Sequence, residues 1–189
     1  MSIRELVLKN RSYRRFFKDA VSPETLRGLV DLARLSPSAA NLQPLKYIIS
    51  CVPKKNALIF PHLKWAGYLK DWLGPLSEER PRAYIVILGD TGISKSFACD
   101  SGIASIGILL GATEKGLGGC IIGAIDREGL RAALKIRAAY EILLVLALGK
   151  PKEKVEIEVV KGAGDIKYWR DKEGNHHVPK RKLDDLIVE

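Results

Sequence analysis

Arg11-Ser12-Tyr13-Arg14-Arg15 sets three guanidinium groups around one hydroxyl within five residues. Arginine grips a phosphate or phosphodiester through two parallel N–H donors, and a serine hydroxyl adds another donor. A solvated basic turn is the plain alternative. Ser36-Pro37-Ser38-Ala39-Ala40-Asn41-Leu42-Gln43-Pro44 carries two side-chain amides one residue apart. An amide offers a donor and an acceptor in one plane, which suits the edge of a heterocycle. The small residues Ser38, Ala39 and Ala40 before them leave room for a flat ligand, although an ordinary turn after a helix reads the same way. Gly116-Leu117-Gly118-Gly119-Cys120-Ile121-Ile122-Gly123 permits close backbone approach. It is not a Rossmann loop, because it follows a helix and opens a strand.

Other chemistries find little support. Gly89-Asp90-Thr91-Gly92-Ile93-Ser94-Lys95-Ser96 lies where a P-loop would, between a strand and a helix, but lacks the P-loop spacing. It reads as a turn with a helix cap. No G-x-S-x-G, H-E-x-x-H or Cys/His pairing is present, which leaves hydrolase chemistry without its usual groups. Cys51, Cys99 and Cys120 are odd in number and form no C-x-x-C. That fits reduced thiols of a cytosolic protein rather than a disulfide framework. His62, His176 and His177 are poorly placed for a metal centre, so no metal is expected.

The elements that carry these motifs follow from periodicity. Residues 2–8 read as a short helix with Ile3, Leu6 and Val7 on one face. Ser22, Pro23 and Glu24 start a second helix with a stripe of Leu26, Leu29, Val30 and Ala33. Tyr47 to Val52, Ala83 to Leu88, Cys120 to Ile122 and Ile142 to Leu148 read as strands. Residues 95–115 predict a helix apolar nearly all round, suited to a core or a subunit interface. Asp126 to Ile136 predicts an amphipathic helix. Residues 53–82 hold four prolines and the Trp65/Tyr68/Trp72 cluster, and read as an excursion or lid with a short helix over Lys64 to Leu73. Residues 162–189 read as a C-terminal extension whose last four apolar positions predict a docked end. Interspersed helices and buried strands argue α+β or α/β.

The chain has 189 residues, 47% hydrophobic and 28% charged, which suits one globular domain over 1–189. The net charge is +9, and residues 1–19 hold six Lys/Arg against two carboxylates. A basic nucleic-acid or anionic-partner module is the rival reading, but the charges fall on no recognisable nucleic-acid motif. No nucleic acid is therefore expected. No apolar run reaches the ~18 residues that cross a bilayer, and the N-terminus lacks a signal core. A cytoplasmic protein without membrane contact is the expectation.

Together these segments resemble the nitroreductase family of FMN-dependent oxidoreductases over nearly the whole chain. Asn10-Arg11-Ser12-Tyr13-Arg14-Arg15-Phe16 is similar to the family's R-R-S-x-R-x-F. Ser36 to Leu45 is similar to S-P-S-x-x-N-x-Q-P-W, Gly116 to Gly123 to G-L-G-x-C-x-I-G, and Leu148-Gly149-Lys150-Pro151 to L-G-x-P. Lys180-Arg181 is similar to the C-terminal basic pair. Asn10 and Leu45 depart from the usual Arg and Trp. The resemblance implies an α+β fold with a mixed central sheet flanked by helices, in an intertwined homodimer. It implies FMN as cofactor, NAD(P)H as co-substrate and a small-molecule electron acceptor such as a nitroaromatic or quinone. Arg11, Ser12, Tyr13, Arg14, Lys180 and Arg181 are then expected near the phosphate and ribityl chain, with Arg14 or a neighbour near the flavin N1/O2 edge. Cys120, Ile121, Ile122 and Gly123 are expected near flavin N5. Pro37, Ser38, Ala39, Asn41 and Gln43 are expected from the partner chain. No catalytic side chain is assigned. A flavin-binding protein with an altered or lost reductase role is the other reading of the same fold.

Overall fold

The computed structural model describes residues 1–97, 99–162 and 164–188. A four-stranded sheet organises the chain. Its strands are β1 (Leu45–Ser50), β2 (Ala83–Asp90), β3 (Gly118–Ile122) and β4 (Tyr140–Gly149), in the order β1-β2-β4-β3. Pairing within it is antiparallel throughout. A second sheet of β5 (Val155–Val159), β7 (His176–Lys180) and β6 (Trp169–Arg170) contains a parallel β5–β7 pair, so the fold is α+β with mixed sheets.

Alternation sends side chains of β2 and β4 to opposite faces. Ala83, Ile85, Ile87, Leu146 and Leu148 join one apolar core with α2 (Pro23–Leu35) and α4 (Asp100–Glu114). Tyr84, Val86, Leu88, Val145 and Ala147 join another with α3 (Pro53–Ile59) and α5 (Arg127–Leu134). The sheet is thus covered on both sides. The register slips between Ile87 and Leu88, where Leu143 has no partner. This bulge inverts the alternation of β4, so Ile142 and Val145 reach the same core.

The helix starts obey their capping residues. Ser22 Oγ accepts Thr25 N–H at 3.1 Å, with Pro23 following. Asp126 Oδ1 accepts Gly129 N–H at 3.0 Å and opens α5. Helix α1 (Ile3–Lys9) closes a capping box between Ser2 and Glu5.

Four expectations change. The segment 64–73 is turns rather than helix, with Ala66 at φ 40° and glycines at 67 and 74. The helix of this region is α3 instead, begun by Pro53 at its first position, where the missing N–H costs nothing. Helix α4 starts at Asp100, five residues later than expected from 95. The C-terminal apolar residues do not dock on their own chain, since Leu186 is 62% and Val188 93% exposed.

Candidate active site

The N-terminal basic segment is held in place by the edge of the main sheet. Strand β3 is an edge strand, and Ser12 bridges Gly119 on its open side. Tyr13 N–H donates to Gly119 O at 3.0 Å. The Tyr13 ring lies where a Cβ on Gly118 would be, and a Cβ on Gly119 would stand 2.6 Å from Ala147 O. Gly118 therefore admits the basic segment, and Gly119 admits close packing of β3 against β4 and α4. Phe16, fully buried, then anchors the segment against Gly149.

Arg14 is 8% exposed and its guanidinium is held from several sides. Nη1 donates to Ser12 O at 3.2 Å and lies 3.2 Å from His176 Nε2. The guanidinium carbon stands 5.0 Å from the centre of the Tyr168 ring. The Arg14 backbone N–H donates to Glu153 Oε1. Arg11 Nη2 donates to Val7 O at 2.7 Å, while its Nε is buried without a partner.

These residues line a cleft of about 360 Å³. Its walls include Arg11, Ser12, Arg14, Ile121, Tyr168, His176 and Lys180. Lys180 and Arg14 thus line one cleft although their motifs lie far apart in sequence. Strand alternation adds a backbone donor. Gly119 turns its carbonyl toward Ser12 and Tyr13, so Ile121, two residues on, turns its amide to the same open edge.

Other expected residues serve this cleft from behind or lie outside its lining. Tyr13 OH donates to Lys9 O at 3.0 Å, and burial pushes its phenol up. Cys120 is 4% exposed, and burial pushes its thiol up against the opposing charge of Arg14. Such a thiol stays protonated and is not a nucleophile. Ile122 is buried in the second core. Gly123 and Arg181 are exposed and do not line the cleft.

The Pro37–Gln43 loop lies at a second cleft, of about 210 Å³. Pro37, Ser38 and Gln43 line it beside Tyr47 and Asp100. Ser38 Oγ donates to Asp100 Oδ2 at 2.7 Å, and Ala39 N–H donates to Asp100 Oδ1 at 3.0 Å. Burial and then Asp100 push the Tyr47 phenol up to about 12. Ala40, Asn41 and Gln43 all have φ near +50°, an uncommon backbone for side-chain residues. Gln43 Nε2 donates to Asn41 Oδ1 at 3.2 Å, and Ala39 and Asn41 face solvent. Within one chain, then, the two groups of expected residues line separate clefts.

The donor set of the first cleft fits a phosphorylated ligand. Two guanidiniums, an ammonium and a hydroxyl suit a phosphate. The orphaned Arg11 Nε and the open amide edge at Ile121 leave donors for further acceptors. FMN brings a phosphate, a hydroxylated chain and a ring with acceptor edges, so the residues fit it. Among the described residues no group of three or more His, Cys, Asp or Glu could hold a metal ion.

The residues that sequence reasoning missed are Glu153, Tyr168, His176 and Asp100. No local motif marks them; each acts through a partner at least 61 residues away in the chain or across the fold.

The sequence model of the Nitroreductase family matches residues 7–150. A protein of Archaeoglobus fulgidus, provisionally named an NADH dehydrogenase/NAD(P)H nitroreductase, is 27% identical over 79% of this chain and 86% of its own. Among solved structures, an FMN-dependent nitroreductase from Clostridium difficile R20291 superposes with a TM-score of 0.65 at 25% identity, covering 86% of this chain and 92% of its own. A provisionally named nitroreductase from Desulfovibrio desulfuricans, solved in complex with FMN, reaches 0.73 at 19% identity over 100% of this chain and 96% of its own, a likeness of fold. With the family's sequence pattern over most of its length and the same fold around it, the chain belongs to the nitroreductase family.

Proposed function

We propose that this protein is an FMN-dependent oxidoreductase, passing hydride from NAD(P)H by way of flavin N5 to a small acceptor such as a nitroaromatic or quinone. The observation that carries the reading is the meeting of Arg11, Ser12, Arg14, Lys180 and the open Ile121 edge in one cleft. FMN supplies the redox chemistry when bound, and the protein supplies position and charge. Arg11, Arg14 and Lys180 neutralise the phosphate, and Ser12 donates to it or to the ribityl chain. The Ile121 amide meets the ring edge. No side chain in the cleft has to act as a strong acid or base.

The same reading makes the working unit a homodimer, in which Pro37, Ser38, Ala39, Asn41 and Gln43 complete the site of the other protomer. Three features support it. The chain exposes 11223 Å², about 2,000 Å² above the scaling for a closed monomer of its mass. Ile3, Val7, Leu8 and Ile106 are all more than 40% exposed on α1 and α4. The apolar C-terminal residues lie undocked, free to cover a partner. No helix among the described residues is long and apolar enough to cross a membrane.

The test is spectroscopic and then kinetic. The purified protein is expected to bind one FMN per chain, to sediment as a dimer, and to bleach on addition of NADH or NADPH. Reoxidation by a nitroaromatic or quinone completes the cycle. Protein that takes up no FMN after addition overturns the reading. Flavin that binds but resists nicotinamide supports the redox-altered alternative.

A further inference from the structure

We propose that His176 is a positioning residue of the anion site, its Nε2 accepting from Arg14 Nη1 and fixing the guanidinium that faces the cleft. The proposal rests on the flavin reading above and deepens it. It draws into the site a strand beyond residues 7–150, the span shared with the family's sequence model.

The geometry begins with β7. Its residues His176, Val178 and Lys180 alternate onto one face and all line the cleft. His177, between them, turns away to Glu158 and Asp171. Strand β7 therefore presents a complete wall, with a cation at one end and an imidazole at the other. That imidazole lies 3.2 Å from Arg14 Nη1. A guanidinium has only donors, so the facing Nε2 is the acceptor and Nδ1 carries the ring proton.

The rest of the small sheet acts in the same direction. Tyr168 packs beside both groups, its ring centre 5.1 Å from the imidazole centre and 5.0 Å from Arg14 Cζ. Glu153 takes the Arg14 backbone N–H and also pairs with Arg170 Nη2 at 2.9 Å. Arg14 thus has its backbone, its plane and one terminal nitrogen fixed by residues 153–176. A rotamer-rich side chain ordered before the ligand arrives loses less entropy on binding.

Packing alone does not account for a histidine here. Nδ1 is buried and has no partner in the folded chain. A phenylalanine would fill the same space and leave no orphaned donor. The acceptor at Nε2 is what the histidine adds. The ring also stays neutral, because burial and then Arg14, Arg170, His177 and Arg15 lower its pKa to about 4.

The experiment compares His176→Phe and His176→Gln with wild type. FMN and riboflavin are each titrated into the full-length apoprotein, followed by quenching of flavin fluorescence. Phenylalanine keeps the ring and loses the acceptor. Glutamine loses the ring and keeps an acceptor near the Nε2 position. The expected result is FMN binding weakened about tenfold in His176→Phe, the scale of one charge-assisted hydrogen bond. Riboflavin, which lacks the phosphate, changes little, and His176→Gln holds FMN close to wild type. FMN and riboflavin losses in equal proportion would show a merely structural role and overturn the proposal. So would wild-type FMN affinity in His176→Phe. If His176→Phe does not fold, His176→Asn, whose amide is too short to reach the Nε2 position, makes the same comparison. Wild-type protein that binds neither flavin overturns the flavin reading itself, and this proposal with it.

Discussion

Ser38 Oγ donates to Asp100 Oδ2 at 2.7 Å, and this bond ties a loop of strained backbone to the first turn of a buried helix. Asp100 is 4% exposed and also accepts Ala39 N–H. Its negative charge lies at the positive end of the α4 dipole. The loop beyond it holds Ala40, Asn41 and Gln43 at φ between 49° and 54°. Left-handed backbone at side-chain residues costs on the order of 1 kcal/mol or more each and persists only where the surroundings enforce it.

Asp100→Ala should therefore release the loop. Both hydrogen bonds go, and a loss of about 1–3 kcal/mol in unfolding free energy is expected. Urea denaturation measures it. Limited proteolysis should show new cuts between residues 38 and 43 before the rest of the chain opens. A variant with wild-type stability and an intact loop would show that the strain is held elsewhere.

The glycines of β3 give a second expectation. A Cβ at Gly119 would stand 2.6 Å from Ala147 O, 2.7 Å from Leu148 Cδ2 and 2.8 Å from Leu109 Cδ2. The carbonyl belongs to the central strand β4 and has no room to retreat. Gly119→Ala should cost about 1–3 kcal/mol by overpacking. It should also weaken FMN, because Ser12 and Tyr13 take their position from the same residue. Urea midpoints and a flavin titration read the two effects separately.

Much of the fold was legible because its signals are local. The caps at Ser22 and Asp126 and the buried runs of β2 and β4 declare themselves within a few residues. Arg11, Ser12 and Arg14, which line one cleft, were legible as candidates for the same reason. Lys180 was found only through the resemblance. Glu153 and His176 could not be found this way, since they reach Arg14 across 139 and 162 residues. Nothing near His176 distinguishes it from His177, although one faces the cleft and the other faces two carboxylates. The turn at 64–73 was misread because its aromatic spacing imitates a helix, while Ala66 and Gly74 adopt positive φ.

Glu153 carries a third expectation. Its buried carboxylate accepts Arg15 N–H at 3.2 Å and Arg170 Nη2 at 2.9 Å, besides the Arg14 amide. Arg15 Nε also lies 3.5 Å from Glu153 Oε2, so removing Glu153 leaves the Arg15 and Arg170 guanidiniums without their shared counter-charge. Glu153→Ala should cost about 3–5 kcal/mol, the scale for one half of a buried pair. Glu153→Gln, which keeps an acceptor but not the charge, should fall between. Equal stability of all three proteins would show that the Arg15–Arg170 pair is solvated and needs no anion.

His176 and His177 are adjacent, yet their environments drive their stability contributions in opposite directions with pH. His177 Nε2 lies 3.1 Å from Asp171 Oδ2, and its ring stacks on Trp169 at 4.1 Å. Asp171 first, and Glu158 with it, raise its pKa against a desolvation that lowers it. Its contribution is fully present below the unfolded value of about 6.5 and is lost as pH rises through the raised folded value. His176 is the reverse. Burial and neighbouring cations lower it to about 4. Its neutral ring stabilises the fold fully above about pH 6.5, and that contribution declines toward pH 4 as the unfolded chain takes up the proton. In wild type the two partly offset each other. His176→Gln should stay flat or gain relative to wild type between pH 6.5 and 4, and keep the loss above 6.5. His177→Gln should lose relative stability as pH falls from the raised folded value to about 6.5, and then run parallel to wild type toward pH 4. Urea unfolding of the three proteins at half-unit steps from pH 4 to 8 measures both slopes. Parallel curves for all three would show that neither histidine changes its protonation on folding.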